Sequence, residues 1–241
     1  MENVKRSFSS LGRKCMNILT STTKIPTVKR SLCGSVEGNY SDVFTDIFRD
    51  DINITIWQRA LGNQLLVSAE NILDKWPTLK ICQIVTPQGA SKAIEEIFGF
   101  DQEAAILSKD IAQLVDMFCY LFDLKHAGLR LTTLNHAMCP RFHVDRILCR
   151  LITTYQGVAT EWLPNLAVNR GKLGTGNRGE PDERSGLLDK VADIRQLSRG
   201  DVALLKGEAW AGNGGAGLVH RSPKLPRESR RLLLTLDFVN N

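Results

Sequence analysis

Around Gly128 the apolar residues of this chain change their repeat, and that change limits the folds open to it. From Asp101 onward Ile106, Leu107, Ile111, Leu114, Val115, Phe118, Phe122 and Leu124 recur at helical spacing, so one face of a long helix is buried. Asp101 stands where an N-cap belongs, with Glu103 in the first turn. A face that broad predicts a sheet beneath it. Past Gly128, the run Leu129-Arg130-Leu131-Thr132-Thr133-Leu134 alternates as a strand does, and Ile147 to Tyr155 is rich in β-branched residues and closed by Gly157. Strands resume at Ile194–Leu197, at Val202–Leu205 after the turn Ser198-Arg199-Gly200-Asp201, and at Arg231–Val239. Helices first and many short strands afterwards predict an α+β protein whose sheets form a sandwich or barrel.

The N-terminal half reads less sharply. Ser41, an available N-cap, precedes Val43, Phe44, Ile47 and Phe48, which predicts a short amphipathic helix. Ile52, Ile54 and Ile56 alternate with polar residues as in a brief strand. The apolar positions from Trp57 to Trp76 fit a helix loosely, and Pro77 stops it. Pro87-Gln88-Gly89 marks a turn, and Ser91 to Phe98 a further short helix closed by Gly99. Residues 166–184 are dense in Gly, Asn, Arg and Asp and read as a long solvated loop, with a lid as the alternative. The expected organisation is a basic, disordered extension over 1–38, a helical portion over 39–127 and a β portion over 128–241, the last two forming one integrated domain.

The net charge of +5 hints at nucleic acid until it is located. Before Glu37 there are seven basic residues against the single acid Glu2, so the rest of the chain carries about −1. A near-neutral body has no basic face for nucleic acid, and the basic Ser/Thr-rich start reads as disorder, or as an organellar transit segment. No run of apolar residues is long enough for a membrane span, and no secretory h-region is present, so a cytoplasmic protein is expected. The six cysteines form no C-x-x-C pair, which fits a reducing compartment.

The chemistry gathers at Cys139-Pro140-Arg141-Phe142-His143-Val144-Asp145. In extended chain His143 and Asp145, two apart, point the same way and can grip one metal ion. His220, where a short apolar strand meets a turn, is the third candidate; His126 and His136, at a helix end and a turn, are assigned no role. Two histidines and one carboxylate make the facial triad of non-haem iron(II) oxygenases, with positions left open. Cys139 and Cys149 flank the pair, so a zinc site with an added thiolate is the competing reading. Arg231 opens a strand of leucines, where an unpaired guanidinium must face solvent or meet an anion. It shares its face with Leu233, Thr235 and Asp237, and Asp237 is its simplest internal partner, whereas Arg230 shares the more apolar set. Trp162 and Tyr155 read as core; Tyr155 is also kept as a second cosubstrate candidate, because it follows the first ligand segment, where its hydroxyl could reach a bound carboxylate.

The order His143-x-Asp145, then His220, then an arginine at the start of the last strand resembles the double-stranded β-helix of the 2-oxoglutarate/iron(II)-dependent dioxygenases. Their last strand commonly reads Arg-x-Ser-Leu-Thr; here Arg231-Leu232-Leu233-Leu234-Thr235 keeps that phase but has Leu233 for the serine. The resemblance implies a jelly-roll or cupin-like β portion, iron(II) on His143, Asp145 and His220, and Arg231 paired with the distal carboxylate of 2-oxoglutarate as small-molecule cosubstrate. It also implies that the turn Gly200-Asp201 opens the strand before the distal histidine. Over residues 50–240 the chain is similar to a bacterial domain-of-unknown-function family of the eighteen-twenty-six type. That likeness rests on residues 137–145, on Gly200-Asp201-Val202-Ala203-Leu204-Leu205-Lys206-Gly207-Glu208-Ala209-Trp210 and on His220-Arg221-Ser222-Pro223. The expected function is an oxygenase of unstated substrate; the alternative is a non-catalytic, possibly zinc-binding, β-sandwich.

Overall fold

The computed structural model describes residues 33–99 and 101–239. The basic stretch up to residue 32, with its expected disorder or transit role, lies outside the described residues. The end of the expected extension does not: Gly34–Gly38 forms strand β1, which pairs in parallel with β2, Ile52–Trp57. Between them Ser41–Phe48 is a 3-10 helix that buries Val43, Phe44 and Ile47. Its N-cap position falls on Tyr40 and no side chain caps it, so Ser41 does not play the expected part.

Helix α1 covers Asn63–Lys75, α2 Ala90–Ile97 and α3 Gln102–Phe122. The Asp101 carboxylate accepts hydrogen bonds from the Glu103 and Ala104 amides, which fixes the start of α3 as its sequence predicts. Strand β3, Lys80–Val85, lies between α1 and α2 and has no counterpart in the sequence reading. The later strands are β4 Ala127–Leu134, β5 Cys149–Gln156, β6 Glu161–Leu163, β7 Arg195–Gln196, β8 Val202–Lys206, β9 Val219–Arg221 and β10 Arg231–Asp237. Gly128 therefore sits inside β4 instead of at a boundary.

Two sheets result. The larger has the order β1-β2-β8-β5-β10-β4-β3 and is antiparallel except for β1 with β2; the smaller has the order β7-β6-β9. Three of the seven strands in the larger sheet come from the N-terminal half, so the expected sequence of helices and then strands is corrected: the first half supplies both edges of the sheet.

The larger sheet divides the core. On one side Leu107, Ile111, Leu114 and Phe118 of α3 meet Leu129, Leu131, Leu151, Leu232, Leu234 and Leu236, all buried. Each such side chain contributes about 1.5–3 kcal/mol, which is why the helix lies flat on the strands. On the other side Ile54, Ile152, Leu205 and Leu233 face Trp162 and Leu218 of the smaller sheet and its approach. Strand β10 is central, between β4 and β5, and shows the period of two: Leu232, Leu234 and Leu236 go to the helices, and Leu233 goes to the opposite sheet. Arg230, of the helix-side parity, hydrogen-bonds Leu73 O and the Asp74 carboxylate on α1. Gly157, after β5, has φ 87°, and a Cβ there would lie 2.3 Å from Arg230 O. Only glycine lets the end of β5 pass so close to the start of β10, and this contact sets where Arg231 enters the sheet.

Candidate metal centre

His143, Asp145 and His220 converge. One donor atom from each lies within 4.8 Å of the others, and no cysteine belongs to the group among the described residues. His143 Nε2 is 3.8 Å from Asp145 Oδ1, and His220 Nε2 is 3.5 Å from Asp145 Oδ2. The backbone brings them together: His143 and His220 exchange both amide-to-carbonyl hydrogen bonds, each 3.0 Å, on the side of β9 not taken by β6. The convergence expected from the sequence spacing is present, although His143 and Asp145 lie in extended chain outside any named strand.

Both imidazoles are oriented from behind. His143 Nδ1 lies 2.9 Å from Arg141 O, and His220 Nδ1 3.2 Å from Leu218 O. A ring whose Nδ1–H donates to a carbonyl presents Nε2 as the lone-pair atom, and both Nε2 atoms face the carboxylate. Burial lowers His220 from 6.5 to about 4, against the pull of Asp145, so its ring is neutral and able to ligate at ordinary pH.

Asp145 is held by Arg150 of β5, whose Nη1 donates to Oδ2 at 2.6 Å while Nε and Nη2 grip both oxygens of Asp237. Asp237 is thus committed to Arg150 and is not the internal partner of Arg231. The chain around Asp145 is fixed by the turn after β8. Glu208 N donates to Asp145 O, and Gly207 N to Leu148 O; a Cβ on Gly207 would lie 2.1 Å from Ile147 O. Gly207 is therefore part of the site through close approach, a role its sequence does not reveal.

Arg231 is 1% exposed and faces the same pocket as both histidines. Its guanidinium donates to Thr154 Oγ1 at 2.9 and 3.2 Å and to Thr160 Oγ1 at 2.6 Å. Among the described residues no carboxylate lies within ion-pair distance, and burial pushes its pKa down to about 10. It remains a cation at neutral pH with only hydroxyls to answer it. The hydroxyls of Thr132 and Thr235, in the same pocket, are buried and have no partner among the described residues.

Tyr155 is not in this pocket. Its parity puts it with Leu151 on the helix side of β5, where its hydroxyl donates to Asp110 Oδ2 at 2.6 Å and Arg59 holds that carboxylate with two further bonds. The pocket face of β5 belongs to Arg150, Ile152 and Thr154. Cys149 lies on the helix side with its thiol pushed up by burial, and Cys139 is exposed at the pocket rim. Neither supports the thiolate-zinc reading.

The 166–184 segment is not a plain loop. Asp182, 3% exposed, accepts from Phe142 N at 2.8 Å and lies 2.8 Å from Arg141 Nε, and Arg221 spans Asp182, Glu183 and Glu161. Leu187 and Leu188 pack with Phe142 and Val219. The segment clamps residues next to His143 and His220 in the candidate cluster.

A family model matches residues 38–237, and its description is protein of unknown function, DUF1826. This chain belongs to that family. No curated protein matches the DUF1826 chain. Among solved structures, similar ones are the dioxygenase for auxin oxidation in rice, at 10% identity over 86% of this chain and 83% of that one with a TM-score of 0.49. Dioxygenase for auxin oxidation 1 of Arabidopsis thaliana, in complex with 2-oxoglutarate, is 8% identical over 87% and 93% with a TM-score of 0.48. A prolyl-4-hydroxylase of Pseudomonas putida is 11% identical over 83% and 97% with a TM-score of 0.40.

Proposed function

We infer that this DUF1826 protein is a non-haem iron(II), 2-oxoglutarate-dependent oxygenase. The observation that carries the reading is Arg231: a buried guanidinium without a carboxylate, in one pocket with a two-histidine, one-carboxylate cluster whose Nε2 atoms converge. A buried cation left unpaired costs several kcal/mol, so the arrangement calls for an anion that arrives from outside. The strand order supports a double-stranded β-helix, with β4, β10, β5 and β8 as one wall and the His143 bridge, β9, β6 and β7 as the other. The main core draws on helices and strands alike, which supports one integrated domain. The five free cysteines among the described residues fit the cytoplasm.

His143, Asp145 and His220 would hold the metal; two imidazoles and a carboxylate without thiolate suit iron(II). Bound there with 2-oxoglutarate, it supplies the oxidative decarboxylation that is coupled to hydroxylation of a C–H bond. The rest falls to the chain. Arg231 meets the distal carboxylate of the cosubstrate in a charge-assisted contact, with Thr154 and Thr160 keeping the guanidinium in place. Arg150 fixes the rotation of the Asp145 carboxylate, and the carbonyls of Arg141 and Leu218 fix the two rings. Leu233, at the position where the 2-oxoglutarate/iron(II)-dependent dioxygenases commonly carry serine, and Ile152 wall the pocket with apolar surface and keep water from the Arg231 contact.

The test is binding of 2-oxoglutarate to metal-loaded protein by calorimetry, followed by succinate formation with iron(II), ascorbate and oxygen. Micromolar binding supports the reading. Absence of any affinity ends it and leaves a non-catalytic metal-binding protein.

A further inference from the structure

The pocket holds a second cation that the cosubstrate does not use. Arg130, on β4, lines it and has no ion pair among the described residues. The other two arginines there are answered: Arg150 by Asp145 and Asp237, Arg221 by Glu161 and Glu183. Arg130 stands opposite Thr235 of β10, and Arg231 opposite Leu134. At ~3.3 Å of rise per residue, the four-residue offset along β4 separates their backbones by roughly 13 Å. They are two sites.

Their positions differ with respect to the metal ligands. Asp237, which ties Arg150 and through it Asp145, is two residues from Thr235 but six from Arg231 on the same strand. Arg130 thus borders the triad end of the pocket, on the β4 side, while Arg231 closes the far end.

Two buried hydroxyls stand beside Arg130. Thr235 and Thr132 are each 6% exposed, both line the pocket, and neither Oγ1 has a partner among the described residues. A guanidinium with two unmatched hydroxyl donors is a receptor for one anionic group. Beyond it the floor continues onto β3, where Lys80, Cys82 and Ile84 pair with Thr132, Arg130 and Gly128 and so share the pocket face. These three are exposed, Ile84 by 65%, because the smaller sheet does not reach that far. Cys82 and Ile84, with the Lys80 charge at one end, thus form a shelf that leads from solvent to Arg130.

We propose that Arg130, with Thr132 and Thr235, anchors the anionic group of the substrate, an organic anion whose apolar body lies across Cys82 and Ile84. The inference rests on the oxygenase reading and deepens it: β3 lies on the far side of β4 from β5, so the body extends away from the cluster, and the C–H bond brought toward His143, Asp145 and His220 is one next to the anionic group. A carboxylate and a phosphate share this chemistry.

The experiment uses full-length protein loaded with Mn(II), which is redox-silent, and 2-oxoglutarate. Cosubstrate affinity is measured first, so that its absence would strike the oxygenase reading alone; the anion titrations are then run on Mn(II)-loaded protein by itself. Octanoate, octyl phosphate and neutral octanamide are titrated by calorimetry. At least one anion should bind, with octanamide about thirtyfold weaker or more, because a charge-assisted contact is lost. Arg130→Met should weaken that anion by about thirtyfold while 2-oxoglutarate affinity moves less than about twofold; Arg130→Lys should recover part of the loss. Lys80→Met, a surface charge on the same shelf, should change little. The proposal is overturned if neither anion binds, if the amide binds as well as the anions, or if Arg130→Met leaves anion binding intact. It is also overturned if Arg130→Met weakens 2-oxoglutarate as much as the anion, since Arg130 would then belong to the cosubstrate. Far-UV circular dichroism establishes that each variant is folded, and Arg130→Lys carries the comparison should the methionine variant not be.

Discussion

Replacing Arg231 by methionine should leave the protein folded and blind to its cosubstrate. Burial drives the Arg231 guanidinium well below its ordinary value, down to about 10, which puts the desolvation of its charge at roughly 3 kcal/mol. Methionine removes that penalty and fills similar space. Against this stand the hydrogen bonds to Thr154 and Thr160, whose loss leaves two buried hydroxyls short of a partner, at a cost of about 1–2 kcal/mol each. The terms nearly cancel, so unfolding free energy without ligand should move by less than about 1.5 kcal/mol, where a well-paired buried arginine would cost about 3–5. Binding should move much more. The distal carboxylate of 2-oxoglutarate would meet an apolar wall beside Leu233, and losing a charge-assisted contact of about 3 kcal/mol weakens affinity roughly a hundredfold. Urea denaturation of metal-free protein measures the first quantity, and calorimetric titration of the Mn(II)-loaded protein the second. Unchanged cosubstrate binding, or a loss of more than about 3 kcal/mol in stability with unchanged binding, would show that Arg231 is structural and refute the argument.

Two further outcomes follow from the site. Because burial holds His220 at about 4 in the folded chain against 6.5 in the unfolded one, the unfolded state takes up the proton first as pH falls. Metal-free protein should therefore lose up to roughly 3 kcal/mol of stability between pH 6.5 and 4, the loss being absent above that window. His220→Gln should lack that part of the pH dependence, and parallel curves for the two proteins in urea titrations would count against a neutral buried ring. Asp182→Ala should cost about 3 kcal/mol by orphaning Phe142 N–H and unpairing Arg141, and should open residues 165–193 to limited proteolysis. A cost below about 1 kcal/mol would mean that the clamp is not one.

The convergence of the candidate ligands was legible in the sequence because it depends on short-range parity and chain order. His143 and Asp145 are two apart, and Arg231 shares a face with Leu233 and Thr235, so alternation alone placed them. Tyr155 is core, as one of its two readings had it, and its alternative place at the pocket fails for a related reason. On β5 Leu151, Thr153 and Tyr155 alternate with Arg150, Ile152 and Thr154, both sets carry apolar residues, and the alternation does not say which faces the helices. Strand β3 was illegible because it lies at an edge, with Cys82, Gln83 and Ile84 exposed, and so lacks a clean apolar alternation. Asp182 was hidden because its partners, Phe142 and Arg221, are about forty residues away in each direction.

The reciprocal backbone bonds between His143 and His220 would also decide when a metal ion enters the proposed site. The chain between these residues holds β5 through β8, and drawing the ends of an excursion that long together costs on the order of 4 kcal/mol of loop-closure entropy. In a zinc finger that cost falls on the ion, and the apo chain is unfolded. Here the sheet pairing and the Leu163, Leu187 and Val219 cluster meet it before any ion is present. The ion's binding energy is left for ligation, and chelation should empty the site without melting the protein. On the proposed oxygenase reading, metal loading would be a late and reversible step in maturation, and the supply of metal would govern activity while the amount of folded protein stayed constant.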